Sequence, residues 1–203
     1  MTLLAVLRHG ETQWSREGRL QGRTDVQLNA AGRAALALCR LPDALRDMQV
    51  VTSPLRRCVE TAQLLSPAGA AVEHRIAEMS WGQWEGRRLD ELRSELGQVM
   101  VANEALGLDF RPTLGESPRE VLSRIEPWLA EVGAHARPTL AISHRGVIRV
   151  LFAAACGWDM RGRPPAKLDW DAVHIFRLAC SGTPSVVQLN IPLLRVPADG
   201  VQQ

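Results

Sequence analysis

Three short apolar runs constrain the fold of this chain most strongly, because arginine or histidine follows each of them within three residues. Residues 2–7 precede Arg8-His9-Gly10, residues 49–53 precede Pro54-Leu55-Arg56-Arg57, and residues 139–143 precede His144-Arg145-Gly146. A helical pattern follows each run, and strands that alternate with helices form parallel sheets covered on both faces. The sequence therefore predicts an α/β fold, a three-layer sandwich whose mainly parallel sheet is flanked by helices.

Periodicity and capping residues predict the other elements. Asn29 is placed to cap a helix, and Ser117 with Glu120 has the spacing of a capping box. The predicted helices span residues 28–45, 54–65, 88–97, 117–133 and 146–156, and two late strands span residues 173–178 and 185–191. No repeat or linker interrupts the pattern. Residues 1–203 are therefore expected to form one domain, in which the segment from about 80 to 115 makes a partial lid over the strand ends.

Composition and charge exclude several classes of protein. No run approaches the roughly 18 apolar residues of a membrane-spanning helix, and the N-terminus lacks the basic region of a signal peptide. The net charge of +2 is too small to indicate a nucleic-acid partner. The four cysteines form no C-x-x-C pair, which predicts reduced thiols in a cytoplasm, at least three of them in apolar surroundings. They are Cys39, Cys58, Cys156 and Cys180.

The polar loops after the three runs are expected to share one crevice, because ligands bind beyond the carboxyl ends of parallel strands. These loops bring His9, His144 and up to four arginines together without a carboxylate, and such charge requires an anion. Arginine accounts for every basic residue except Lys167, and its planar fork matches phosphate. A histidine kept neutral by arginines can attack phosphorus and carry the phosphoryl group.

Such a mechanism also requires an acid for the leaving alkoxide, and Glu78 is the candidate. It precedes Trp81 and Trp84, in a partly apolar segment of the kind that raises the pKa of a carboxyl group. The residues thus predict phosphoryl transfer with no obligatory metal. A zinc site of His9, His144 and Glu78 is the alternative, disfavoured because the nearby arginines would repel a dication.

The same residues resemble the histidine phosphatase superfamily, the phosphoglycerate-mutase-like proteins. Arg8-His9-Gly10-Glu11-Thr12 is similar to its R-H-G-E-[ST] signature, and four further blocks follow in order. They are Ser53-Pro54-Leu55-Arg56-Arg57 with Thr61-Ala62, Glu78-Met79-Ser80-Trp81-Gly82 with Trp84-Glu85-Gly86, Gly115-Glu116-Ser117, and Ser143-His144-Arg145-Gly146-Val147-Ile148-Arg149. The third and fourth blocks resemble the phosphatase branch, and in particular the α-ribazole-phosphate phosphatases.

The resemblance implies a role for each matching residue. His9 would be the phosphorylated nucleophile and Glu78 the proton donor. Three residues would bind the phosphoryl oxygens: Arg8, Arg57 and His144. Four more are expected to contact the substrate, a small phosphomonoester: Ser15, Gln21, Gly22 and Arg145. No cofactor, metal, nucleic acid or membrane partner is expected, and a homodimer is left open.

Three positions depart from the family's pattern. Ser15 stands where asparagine is usual, and Arg145 stands where a glycine usually follows the second histidine. The segment Leu168-Asp169-Trp170-Asp171 lacks the small turn expected over the site. At these positions the resemblance therefore does not predict which side chains contact the substrate.

The predicted reaction is hydrolysis of a small phosphorylated metabolite through a phosphohistidine, with α-ribazole phosphate as one candidate substrate. A cofactor-dependent phosphoglycerate mutase and a non-catalytic phospholigand binder are the alternatives. Only 28 residues separate Gly86 from Gly115, fewer than mutases of the family usually carry there, which favours the hydrolase. Glu11 and Glu85 could support the pocket or only mark helix starts, whereas four residues are expected to be structural or solvated: Arg56, His74, His135 and His174.

Overall fold

The computed structural model describes residues 1–66, 68–135 and 137–196. The described strands are β1 (Thr2–Arg8), β2 (Cys39–Arg40), β3 (Gln49–Thr52), β4 (Ala71–Val72), β5 (Thr139–Ser143), β6 (Ala172–Leu178), β7 (Pro184–Pro192) and β8 (Leu194–Arg195). The described α-helices are α1 (Gln13–Arg16), α2 (Ala30–Ala37), α3 (Arg56–Leu65), α4 (Leu89–Leu96), α5 (Gln98–Glu104), α6 (Pro118–His135) and α7 (Arg145–Cys156).

The central sheet has six strands in the order β4-β3-β5-β1-β6-β7. Strands β4, β3, β5 and β1 are parallel, whereas β6 and β7 run antiparallel to their neighbours. The α/β prediction with a mainly parallel sheet is confirmed. The order places β1 directly beside β5 and β5 beside β3, so the three runs that end in arginine or histidine are adjacent.

Burial explains why the interiors of β1 and β5, residues 3–7 and 140–142, are apolar at every position rather than alternating. Leu4 and Val6 face a core layer formed with α6 and α7, whereas Ala5 and Leu7 face a second layer formed with α2 and α3. A strand covered on both faces gains apolar burial from every residue, at about 25 cal/mol per Å². The strand ends, where the cover stops, are where the chain can place polar groups.

The predicted helix from 28 to 45 is wrong in its second half. Asn29 caps it as expected, with Gly32 N donating to Asn29 Oδ1 at 2.6 Å, but α2 ends at Ala37. Strand β2 follows immediately and pairs antiparallel with β8. The helical pattern therefore yields to a pairing with a strand about 150 residues away in sequence, which local periodicity does not reveal.

The cysteine prediction is also wrong in part. All four thiols are free, but only Cys58 is buried, whereas Cys156 and Cys180 are exposed and Cys39 is half-buried. Cys156 is the last residue of α7 and Cys180 lies in the turn before β7, so both stand at the ends of elements, outside the core. In the described part of the chain, no helix combines the length and the apolar character that crossing a membrane would require.

Candidate active site

Strands β3, β5 and β1 end at one edge of the sheet and bring the three predicted loops together there. The pairing continues past the strand ends, because His9 N donates to Ser143 O and Ser53 N donates to Ile142 O, both at 3.0 Å. A cavity of about 530 Å³ opens at this edge. Six of the predicted site residues line it: Arg8, His9, Ser15, Gln21, Glu78 and Arg145. The other three are buried beside it: Gly22, Arg57 and His144.

The ring of His9 is buried and held in one tautomer. Its Nδ1 lies 2.8 Å from the carbonyl oxygen of Gly10. A carbonyl oxygen only accepts, so Nδ1 carries the hydrogen and Nε2 keeps its lone pair. Burial, together with the positive charges of Arg8 and Arg57, lowers the pKa of His9 well below its ordinary value. His9 is therefore a neutral imidazole with an unprotonated Nε2, the form in which histidine is a nucleophile.

The guanidinium of Arg8 lines the cavity with part of its hydrogen-bonding capacity unused. Its Nε atom is buried and has no hydrogen-bond partner in the described part of the chain. Burial and the positive charge of Arg145 lower the pKa of Arg8. A desolvated cation with an unused donor is stabilised by an anion, and phosphate oxygens match the guanidinium fork.

Arg57 is fully buried on α3, and its hydrogen bonds go to neutral acceptors. Nη2 donates to Gly22 O at 2.8 Å, Nη1 donates to Thr24 O at 2.9 Å, and Nε donates to His144 Nδ1 at 3.3 Å. Burial lowers its pKa, although the distributed charges of Glu78 and other acidic groups oppose this. Arg57 therefore contributes an uncompensated positive charge next to His9.

The loop that holds Arg57 is itself held by Glu85. The Glu85 carboxylate accepts from Arg23 N and Thr24 N, both at 2.8 Å, and from Thr24 Oγ1 at 2.5 Å. Gly22 has φ +54°, and a Cβ there would collide with the same carboxylate. Gly22 thus accepts from Arg57 through its carbonyl group, and its lack of a side chain leaves room for the Glu85 carboxylate. Of the two roles that the sequence left open for Glu85, its contacts favour support of the pocket over a helix-start charge.

Both ring nitrogens of His144 are engaged. Nδ1 accepts from Arg57 Nε, so Nε2 carries the hydrogen and donates to Ser53 Oγ at 2.7 Å. Burial and the charge of Arg57 lower the pKa of His144 well below its ordinary value. Its ring centroid lies 5.3 Å from that of His9. His144 is thus a neutral group against the back of the nucleophile, and the thiol of Cys58 packs against it.

Glu78 is the one carboxylate of the predicted set, and it is almost completely buried. Burial raises the pKa of Glu78 above its ordinary value, although hydrogen bonds to its charged form oppose the shift. Those bonds come from Met79 N at 2.8 Å and from Gly146 N at 3.1 Å to Oε1 and 3.3 Å to Oε2. The carboxyl group therefore sits at the first turn of α7, where backbone N–H groups aim it into the cavity.

A partly buried ion pair holds the segment that carries Glu78. Arg124 Nε donates to Glu116 Oε1 at 2.7 Å, and Arg124 Nη2 donates to the carbonyl oxygens of Ala77 (2.7 Å) and Glu78 (3.3 Å). Glu116 also accepts from Ser80 N at 3.2 Å. The Gly115-Glu116-Ser117 block therefore supports the acid through Glu116, whereas sequence analysis did not single out its partner Arg124.

Ser15 and Gln21 line the cavity with different capacities. Ser15 Oγ accepts from Thr12 N at 2.9 Å, which closes a capping box at the start of α1, and its one hydrogen is donated to Thr12 O at 3.0 Å. Gln21 Oε1 accepts from Thr12 Oγ1 at 2.9 Å, which leaves the amide NH₂ group to donate to a ligand. Gln21 is the better placed of the two to contact a substrate.

Arg145 and the Asp169-Trp170-Asp171 segment, two of the unusual features of the sequence, meet in space. The guanidinium carbon of Arg145 lies 4.8 Å from the centroid of the Trp170 ring. One turn further along α7, the guanidinium carbon of Arg149 lies 5.3 Å from the centroid of the Trp158 ring. Arg149 ends the sequence block with the second histidine but was given no role there, and it also lines the cavity.

The segment from 80 to 115 forms part of the cavity wall. It contains α4 and α5, the latter not predicted, and it contributes Trp81, Leu89, Arg93, Glu104 and Phe110. Trp81 packs edge-on against Phe110 with ring centroids 5.8 Å apart. Among the described residues, no group of three or more histidine, cysteine or acidic side chains could hold a metal ion.

Comparison with known proteins identifies a family. The family model described as "Histidine phosphatase superfamily (branch 1)" matches residues 4–192. Among curated proteins, the chain is 29% identical over 165 residues to glucosyl-3-phosphoglycerate phosphatase of Mycobacterium tuberculosis, covering 74% of each chain. It is 33% identical over 166 residues to "Probable phosphoglycerate mutase GpmB" of Klebsiella pneumoniae, covering 77% of this chain and 76% of the relative.

Solved structures share the fold. The crystal structure of phosphoserine phosphatase from Entamoeba histolytica in complex with 3-phosphoglyceric acid superimposes with a TM-score of 0.77 at 23% identity, covering 94% of this chain and 97% of that one. Phosphatases are thus found both among the sequence relatives and among the structural neighbours.

Proposed function

The chain belongs to branch 1 of the histidine phosphatase superfamily, and on that premise we propose that it hydrolyses a small phosphomonoester through a phosphohistidine at His9. The phosphoryl group would lie between Nε2 of His9 and the guanidinium of Arg8. Arg57 adds a positive charge from behind, and the neutral ring of His144, which accepts from Arg57 Nε, holds that guanidinium in place. The observation that carries the proposal is the tautomer of His9, whose hydrogen bond to Gly10 O leaves Nε2 unprotonated in an arginine-rich cavity.

The first step transfers the phosphoryl group to the enzyme. The lone pair of His9 Nε2 forms a bond to phosphorus while the bond from phosphorus to the ester oxygen breaks. The protonated carboxyl group of Glu78, favoured by burial, gives its proton to the leaving oxygen, which departs as an alcohol. The arginines stabilise the charge that develops on the three phosphoryl oxygens.

The second step returns the enzyme to its starting state. Glu78, now a carboxylate, takes a proton from water, and the hydroxide formed attacks phosphorus as the bond to Nε2 breaks. Inorganic phosphate leaves, His9 is again neutral, and Glu78 is again protonated. The arginines supply the electrostatic stabilisation that a metal ion would otherwise give, so we propose that the reaction needs no metal. Phosphate release is therefore expected to be unchanged when EDTA is added to the assay.

The curated relatives indicate the class of substrate. The names of the two curated relatives refer to phosphoglycerate and its glucosyl derivative, which supports a small phosphorylated metabolite. α-Ribazole phosphate, suggested by the E-M-x-x-G-x-W-E-G pattern, is a further candidate substrate of this class.

The free thiols of all four cysteines support a reducing compartment, and we propose a cytoplasmic enzyme.

The likeness to GpmB keeps a phosphoglycerate mutase as the second candidate. A mutase must exclude water from its phosphohistidine, which needs an extensive lid. We propose that residues 80–115 form only a partial lid, because α4 and α5 are short and line one side of the cavity.

A substrate panel decides between these functions. Released phosphate is measured with sugar phosphates, phosphoglycerates, nucleotides and α-ribazole phosphate, and 3-phosphoglycerate is assayed for conversion to 2-phosphoglycerate with and without 2,3-bisphosphoglycerate. Phosphate release from several monoesters with little interconversion is expected. Interconversion that depends on bisphosphoglycerate, with negligible phosphate release, would promote the mutase.

A further inference from the structure

The cavity is much larger than a phosphoryl group requires. Its volume of about 530 Å³ lies in the usual range for pockets that hold whole small ligands, roughly 300–1,000 Å³. The phosphoryl site takes up the end formed by Arg8 and His9. The remaining walls must therefore recognise the part of the substrate that leaves as the alcohol.

Two arginines of α7 face this outer part of the cavity. Arg145 is the first residue of the helix and Arg149 lies four residues later, so both are on one helical face, about 6 Å apart along the axis. Two cations of one helix beside one cavity form a local concentration of positive charge. It adjoins the set formed by Arg8 and Arg57 around His9, because the charge of Arg145 lowers the pKa of Arg8.

Neither cation forms an ion pair in the described part of the chain. Arg19 and Arg93, which line the same cavity, are paired with Glu17 at 2.6 Å and with Glu104 at 2.7 Å. For the side chains of Arg145 and Arg149, by contrast, no carboxylate oxygen of residues 1–66, 68–135 or 137–196 lies within 4.0 Å. Burial and the charge of Arg145 lower the pKa of Arg149, so both features favour a bound anion.

Two tryptophans orient these guanidinium groups without using their donors. Arg145 lies over Trp170 and Arg149 over Trp158. Stacking engages the face of a guanidinium, whereas its N–H groups lie in the plane and stay available to an acceptor. Arg145 and Trp170 both belong to positions where this chain departs from the family's pattern, and their contact shows that the two departures form one feature.

We propose that Arg145 and Arg149 form a subsite for a second anionic group of the substrate, a carboxylate or a second phosphate, carried by the alcohol that leaves. The inference rests on the proposed phosphatase function and narrows its substrate class to phosphomonoesters that are also acids. Glucosyl or other neutral substituents would then occupy the aromatic wall at Trp81 and Phe110.

Two matched pairs of substrates test the subsite. 3-Phosphoglycerate and glycerol 3-phosphate differ in whether the distal carbon is a carboxylate, and fructose 1,6-bisphosphate and fructose 6-phosphate differ in a second phosphate. In the wild type, kcat/KM is expected to favour the acid of at least one pair by about 10- to 100-fold, the contribution of one or two charged hydrogen bonds. The pair that shows the preference identifies the anion.

The variants Arg145→Gln and Arg149→Gln are expected to lower that preference by about tenfold each. Glutamine is compatible with a helix, and thermal unfolding checks that each variant folds; Arg145, exposed at the helix start, provides a second test if Arg149→Gln is unstable. Arg177→Gln removes an exposed charge on β6, outside the cavity, and is expected to keep the wild-type preference.

Two outcomes would overturn the subsite: a wild type that prefers the acid of neither pair, or folded variants of both arginines that keep the wild-type preference. Failure of the phosphatase proposal itself is distinguishable. In that case the wild type would release no phosphate from any of the four esters or from p-nitrophenyl phosphate.

Discussion

Replacing Gly146 with alanine is expected to displace the carboxylate of Glu78, the proposed acid, while leaving its chemical identity unchanged. Gly146 N donates to both carboxylate oxygens of Glu78, and a Cβ at this position would collide with Glu78 Oε1, while Met79 Cβ lies 3.3 Å away on the other side. To restore an ordinary contact of about 3.5 Å, the carboxylate has to move by about 1 Å. The backbone of Gly146 does not have a positive φ, and alanine is the better helix former by about 1 kcal/mol, so α7 should be retained.

A displacement of about 1 Å in a catalytic group can lower a rate by about 100-fold. We therefore expect Gly146→Ala to lower kcat for alkyl phosphates by about 10- to 100-fold. The loss with p-nitrophenyl phosphate should be smaller, because its leaving group needs little protonation. Steady-state release of phosphate from both substrates measures the difference.

The variant Glu78→Gln provides the matched reference. If the added methyl group acts through Glu78, the double variant Gly146→Ala, Glu78→Gln should be no slower on alkyl phosphates than Glu78→Gln alone. Additive losses in the double variant, or equal losses on both substrates in Gly146→Ala, would refute the reasoning. Glu78 would then be a structural residue rather than the acid.

Two further predictions concern the groups around His9. Glu85→Gln weakens the hydrogen bonds of the loop whose carbonyl groups hold Arg57, so kcat/KM for p-nitrophenyl phosphate should fall about tenfold and the inhibition constant of vanadate should rise about tenfold. The control is Glu95→Gln, which removes a carboxylate from an exposed ion pair. An unchanged inhibition constant of vanadate in Glu85→Gln would contradict the prediction. Because the pKa of His9 is well below its ordinary value, kcat/KM, corrected for ionisation of the substrate, should not decrease as pH falls through 6.5. With alkyl phosphates it should decrease as pH rises past the raised pKa of Glu78, because the acid then loses its proton. An acid limb centred near pH 6.5, or an alkaline limb that persists in Glu78→Gln, would be inconsistent with these assignments.

The part of the site formed by the strand ends could be predicted from the sequence. Arg8, His9 and His144 directly follow apolar strands, and a parallel sheet leaves few places for such residues except one shared edge. Glu78 could be predicted because its partly apolar neighbourhood fits a raised pKa, and burial is the main cause of the shift in the structure.

The contacts that hold these residues in place could not be predicted. The carbonyl groups of Gly22 and Thr24 that bind Arg57, and the N–H of Gly146 that binds Glu78, are backbone atoms with no signature of their own. Strand β2 depends on pairing with β8, far away in sequence. The stacking of Arg145 on Trp170 likewise joins two segments that the sequence presents as unrelated departures.

The central claim is that His9 carries the phosphoryl group, and trapping the intermediate tests it most directly. Wild-type enzyme is mixed with radiolabelled phosphomonoester and quenched in alkali, which preserves phosphohistidine, and the labelled peptide is then identified by mass spectrometry. The account predicts acid-labile label on the peptide that contains His9, and no label in a folded His9→Ala variant, which should also lack turnover. Label on His144, or normal turnover by His9→Ala, would contradict it.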